Sequence, residues 1–140
     1  MLDLVDRRAL VNIELKGPHT GAPVKTMVAD YIHRRGWKPE DFLISSFSRM
    51  ELRHFSGGAV QIGLLFARSA RLFRRPARAL GAWSIHVPLA HVSPQLVARA
   101  HAASLKVFVF TVNNRQEMDR LAQMGADAVF TDYPDRWTRG

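Results

Sequence analysis

Lys106-Val107-Phe108-Val109-Phe110-Thr111-Val112 is a nearly unbroken apolar run. A strand of that composition is buried on both faces, as in a parallel sheet covered by helices. After it, Asn114 and Glu117 stand at capping-box spacing. Met118, Leu121 and Ala122 mark the buried stripe of a helix, Gly125 stops it, and Ala128-Val129-Phe130-Thr131 reads as the next strand. Before the apolar run, Ser93-Pro94 reads as an N-cap followed by proline at the first helical position. Leu96, Val97 and Ala100 form that helix's stripe, and Trp83 to Val87 is strand-like. Strands alternating with helices predict an α/β fold with a parallel sheet.

The same alternation runs toward the N-terminus. Val11-Asn12-Ile13-Glu14-Leu15 has the period of a strand, and Gly17-Pro18-His19-Thr20-Gly21 breaks it. Val24, Met27, Val28, Tyr31 and Ile32 follow at helical spacing up to a stop at Gly36. Phe42-Leu43-Ile44 is a short apolar strand, and Ser48 with Glu51 predicts a capping box. Val60 to Phe66 is a further strand candidate, and the Arg-rich stretch after it reads as helical until Pro76. No long linker interrupts the series, so residues 1–140 read as a single domain.

Composition narrows the function. With 47% hydrophobic and 23% charged residues the chain is globular rather than disordered. The absence of cysteine excludes disulfides, thiolate metal sites and cysteine nucleophiles. No apolar run approaches the roughly 18 residues of a membrane span. Asp3 and Asp6, without a long apolar core, argue against a secretory signal, and the expectation is a cytoplasmic protein. The net charge is +8, with Arg68, Arg71, Arg74, Arg75 and Arg78 close together. Without zinc-finger spacing, an RNP-type motif or a clear helix-turn-helix, this reads as a solvated helix face, and no nucleic-acid partner is expected.

Glu14 and Lys16 are the candidate residues for chemistry. Strand residues two apart share a face, so Asn12, Glu14 and Lys16 point one way and Val11, Ile13 and Leu15 the other. In a helix-wrapped parallel barrel the first set faces inward, near the carboxyl end where such barrels do chemistry. A carboxylate beside an ammonium suits a divalent cation bound next to a phosphate. On spacing alone, an ordinary Glu–Lys pair at a strand end stays open.

The run NIELKGP at 12–18 resembles the "IEIK" strand of the glycerophosphodiester phosphodiesterase family. Ser45-Ser46-Phe47 and the stretch LVARAHAASLKVFVFTVNNRQEMDRLAQMGADAVFTDYP at 96–134 resemble further blocks of that family, in the same order. The resemblance implies a partial TIM barrel whose N-terminal strands are missing. It implies hydrolysis of small-molecule glycerophosphodiesters to glycerol 3-phosphate and an alcohol, with a divalent cation, Ca or Mg. Glu14 matches the family's metal-binding glutamate, and Lys16 the catalytic lysine that contacts the phosphate. Phe110 falls where a tryptophan usually lines the substrate pocket, keeping the aromatic face and losing the indole N–H. Asn113 in the same loop reads as a turn residue.

The family's His-Arg-Gly strand, its Glu and Asp metal ligands on a second strand, and a further histidine have no counterpart here. The string His33-Arg34-Arg35-Gly36 has one residue too many and sits at a helix end. His19, His86 and His91 are placed to reach the barrel mouth, whereas His54 and His101 read as surface residues. A full barrel of this kind has roughly 250 residues and eight strands. Three lost strands plus six candidates exceed eight, so Val60–Phe66 or Trp83–Val87 is expected to be accessory. The chain alone is therefore expected to be catalytically incomplete, and open edges imply a homo-oligomer or a missing N-terminal half. The alternative is a non-catalytic remnant or a basic module that binds phosphate.

Overall fold

The structure, a computed structural model, describes residues 2–137. A short helix α1 (Leu2–Val5) precedes strand β1 (Val11–Glu14) and helix α2 (Gly21–Arg35). Then follow β2 (Phe42–Ser46), α3 (Arg49–Leu52), β3 (Gln61–Leu65), α4 (Arg74–Leu80), β4 (Ser84–Pro88), α5 (Pro94–His101), β5 (Lys106–Phe110), α6 (Arg115–Met124) and β6 (Ala128–Val129). All strand pairings are parallel, and the spatial order is the sequence order from β1 to β6. This is a half-barrel: six strands curve with helices on one side.

Both segments suspected of being accessory are true strands. β3 pairs with β2 and β4, and β4 with β3 and β5, so they form the middle of the sheet. Six strands are two fewer than the eight of a closed barrel, which corrects the count of three. The Arg-rich stretch is also not one helix. Residues 67–73 form a loop, and α4 begins at Arg74 with Pro76 in its first turn. The first turn is where proline is tolerated, because its missing N–H has no intrahelical partner.

Alternation along the strands divides the side chains. Phe42, Ile44, Ile62, Leu64, Ile85, Val87, Val107 and Val109 pack under the helices in the main core. Trp37 extends it, stacked on Phe42 with ring centroids 4.9 Å apart. The residues between them face the concave side: Asn12 and Glu14, Leu43 and Ser45, Gln61 and Gly63, Ser84 and His86, Phe108 and Phe110. Leu43 is fully buried yet stands apart from the helix-side core.

Gly36, Gly81 and Gly125 end α2, α4 and α6 in the left-handed conformation that favours glycine. Neither expected capping box closes. Ser48 Oγ accepts from the Glu51 N–H at 3.4 Å, but the Glu51 carboxylate turns elsewhere. Asn114 Oδ1 accepts from the Gln116 N–H at 2.8 Å, while Glu117 pairs with Arg120.

Candidate functional site

The carboxyl ends of β1 and β2 frame a cleft lined by Glu14, Lys16, His19, Phe47, Glu51 and His54 among others. Glu14 is the last residue of β1, on the concave side, and Leu15 turns into the core. Lys16 Nζ lies 4.0 Å from Glu14 Oε2. The ammonium is 80% exposed and the carboxylate 32%, so both are open to an incoming ligand. Glu14 also lines an adjoining cavity of about 250 Å³ with Asn12, Ser45, Phe47, His86, Phe110 and Phe130. Phe110 meets Phe47 edge-to-face at 6.1 Å, giving the mouth an aromatic wall. Glu14, Lys16 and Phe110 thus converge at one strand-end opening.

The residue that sequence reasoning placed in a cap is the support of this cleft. Glu51 is buried, and its Oε2 accepts from the Gly21 N–H at 2.7 Å and its Oε1 from the His19 N–H at 2.9 Å. Its carboxylate therefore serves the open N-terminus of α2 from thirty residues away in sequence, where Thr20 makes no side-chain cap. His19 has φ +61, a left-handed conformation that a non-glycine residue holds only when its surroundings fix it. The Gly21 N–H, then the His19 N–H, hold the Glu51 carboxyl below the usual carboxylate range, against the effect of burial. A Cβ on Gly21 would come within 2.5 Å of His54 and 2.7 Å of the Glu51 backbone, so glycine is required there. His54 is exposed, as expected, and it also borders the cleft. The only sequence signal for Glu51 was its spacing from Ser48, which pointed to the wrong partner.

The other histidines separate. His86 is wholly buried on the concave face of β4. Ser84 Oγ and His86 Nε2 share a hydrogen bond of 2.9 Å, and the ring stacks on Phe108 at 4.9 Å. The ring occupies space above Gly63, where a Cβ would lie 2.6 Å from it. Burial pushes its pKa down to about 3, which favours the neutral ring at physiological pH. His91 lies exposed beside Arg71 and Arg99, away from Glu14. His101 pairs with Asp127 at 2.9 Å, and Asp127 Oδ2 also accepts from the Val107 N–H, tying the strand leading into β6 to β5. Asn113 does more than turn the chain. Its amide bonds Asp132, and its carbonyl accepts from Thr131 Oγ1 and the Asp132 N–H, buckling the loops after β5 and β6 together.

A divalent cation needs several oxygen ligands. Among the described residues no group of three or more His, Asp or Glu is arranged to hold one. Glu14 fits as a single carboxylate ligand, the manner in which Mg²⁺ is often held alongside phosphate oxygens and water.

A family model, described as the glycerophosphoryl diester phosphodiesterase family, matches residues 7–136. A glycerophosphodiester phosphodiesterase from Caldanaerobacter subterraneus is 29% identical over 133 residues, covering 93% of this chain and 54% of that protein. The structure of an Oleispira antarctica phosphodiesterase in complex with the product sn-glycerol-3-phosphate matches with a TM-score of 0.72 and 27% identity, over 89% of this chain and 52% of the other. A glycerophosphodiester phosphodiesterase from Parabacteroides distasonis shares the fold at 18% identity, with a TM-score of 0.69 over 89% of this chain and 53% of that one. The chain spans about half the length of the curated relatives it matches. No helix among the described residues is long and apolar enough to cross a membrane.

Proposed function

The chain belongs to the glycerophosphoryl diester phosphodiesterase family, and on that premise we propose that it carries the phosphate-binding side of a hydrolase acting on glycerophosphodiesters. The observation that supports this most is the pairing of Glu14 and Lys16 at the strand-end mouth beside Phe110. Lys16 donates to a non-bridging phosphate oxygen and offsets charge that grows in the transition state. Glu51 positions the loop at 17–21, and with it the direction in which Lys16 and His19 approach. Phe47 and Phe110 exclude water from one wall and pack against the alcohol or glycerol portion. Glu14 contributes one ligand to a divalent cation, Ca or Mg, which when bound supplies Lewis-acid polarisation of the phosphate.

General acid–base catalysis is worth about 10²–10⁴-fold. The His-Arg-Gly strand and the further histidine that the family resemblance calls for have no counterpart in this sequence, so the chain alone is expected to bind product and turn over little. Assay with glycerophosphocholine and Ca²⁺ or Mg²⁺, alongside titration with glycerol 3-phosphate, tests this. The expected result is glycerol 3-phosphate binding that weakens at least ten-fold in Lys16→Ala, with negligible hydrolysis. Turnover typical of a full enzyme, or binding indifferent to both Lys16→Ala and Glu14→Gln, overturns the assignment.

β1 and β6 are the edges of the sheet, with N–H and C=O groups available for pairing. A second copy or a complementary half is the proposed occupant. Light scattering is expected to show a mass above the 15.8 kDa of one chain.

A further inference from the structure

Between Glu51 and Glu117 the sequence contains no Asp or Glu, while nine Lys and Arg fall there. Outside that stretch the two signs nearly cancel, so the excess positive charge belongs to it, and seven of the nine cations lie between the start of β3 and the end of β5. The loop at 67–73 carries two of these arginines and opens directly onto α4, which brings three more. It leaves the carboxyl end of β3, the same end of the sheet as the Glu14–Lys16 cleft.

That loop is built with an inside and an outside. Ala70 and Phe73 are buried at 1% and 0% exposure, and Leu72 between them is 86% exposed. Arg68, Arg71, Arg74 and Arg75 surround the leucine in sequence, all exposed, and none has an ion-pair partner among the described residues. The scaffold beneath is fixed. Arg99 places its guanidinium 5.6 Å from the Phe73 ring and donates from Nη2 to the Arg71 carbonyl at 3.0 Å. The segment after β2, at the same end of the sheet, exposes Phe47 at 49% and, on α3, Met50 at 73%, beside Arg49 and Arg53.

We propose that the loop at 67–73 and the first turn of α4 dock on an anionic lipid surface. Leu72 enters the boundary between headgroups and acyl chains, and Arg68, Arg71, Arg74 and Arg75 meet the lipid phosphates. Charge complementarity and the apolar tip together select this partner. Cations near an anionic leaflet are attracted one by one, and a buried apolar side chain adds binding that salt does not screen. A nucleic-acid surface uses the cations, but its phosphates gain nothing from a leucine held between them. This loop also offers no exposed aromatic on which a base would stack. Docked in this way, the molecule turns its strand-end mouth toward the lipid.

Co-sedimentation of the full chain with phosphatidylcholine vesicles, with and without phosphatidylserine, tests the proposal. Binding is expected only with phosphatidylserine. It should fall about five-fold for each of Arg71→Ala and Arg74→Ala, and also in Leu72→Asp. Lys38→Ala, which removes one charge at the opposite end of the sheet, should leave it unchanged. Every substituted side chain is exposed, and an unchanged thermal melt checks that each variant folds. Equal binding to both vesicle types, no binding to either, or loss of binding in Lys38→Ala equal to that in Arg71→Ala overturns the proposal. So does retention by an oligonucleotide that needs the arginines and ignores Leu72→Asp, since that pattern belongs to a nucleic-acid surface.

Discussion

The two faces of β4 belong to different chemistries. Ile85 and Val87 point to the helices and are wholly buried in a continuous apolar core. Ser84 and His86 point the other way and are also wholly buried, yet His86 Nδ1 has no hydrogen-bond partner. The same contrast runs along the sheet. Asn12 Oδ1, Ser45 Oγ and Gln61 Oε1 are the other buried side-chain polar atoms left without partners among the described residues, and all lie on the concave side. A buried polar atom without a partner costs about 1–3 kcal/mol, so a face that collects four is not built for stability. The helix side holds the chain together, and the concave side keeps polar groups in readiness for something to meet them.

The contrast breaks most visibly under truncation. Ile85→Ala removes packing from the closed side and is expected to cost about 2–5 kcal/mol in urea unfolding. A cost under 1 kcal/mol would place the core elsewhere.

Acid tests the opposite face. His86 has a folded pKa of about 3 against an ordinary value of 6.5. The unfolded chain therefore takes up this proton first, and stability falls as pH drops from about 6.5 toward 3, by up to about 1.4 kcal/mol per unit. Glu51, also depressed, adds a loss of the same sign below its ordinary value of 4.5. Melts between pH 7 and pH 4 should show the slope, and His86→Leu should flatten most of it above pH 5. An unchanged slope in that variant would exclude His86 as its source.

Gly63→Ala places a Cβ 2.6 Å from the His86 ring. The expected cost is about 1–3 kcal/mol by overpacking, partly recovered when His86→Ala is added. Additive costs would mean that the two positions do not touch.

The smallest effect separates the faces most sharply. Ser45→Ala deletes a hydroxyl that has no partner, and stability should stay within about 0.5 kcal/mol or rise. A loss above 1 kcal/mol would show that Ser45 has a partner in solution.

Much of this architecture was legible because alternation and caps are local properties. The apolar run at 106–112 announced β5, though only its helix side is fully buried, since Lys106 is exposed and Phe108 and Phe110 are half-buried on the concave side. The spacing of Glu14 and Lys16 placed the carboxylate on the concave side. Glycines 36 and 125 stopped their helices as expected. What escaped was non-local. Glu51 has the right spacing for a box with Ser48, but two N–H groups at the start of α2 offer its carboxylate a stronger site. His86 gave no sign that a glycine on the neighbouring strand clears room for its ring. The arginines at 68–78 were spaced well enough for a helix, yet burial of Ala70 and Phe73 holds the first part as a loop. Strand count failed for the opposite reason: each strand was visible, and only the assumed number of absent ones was wrong.

The sequential order of the strands shapes how this sheet assembles. Every ladder joins a strand to the next one along the chain, so each closure spans a single βα unit. Closing a short loop loses little chain entropy, and rates follow that separation more than overall size. The sheet can grow by zippering from any neighbouring pair in either direction, as stacked repeats do. Adding or removing a unit at either end alters the number of links without altering their kind.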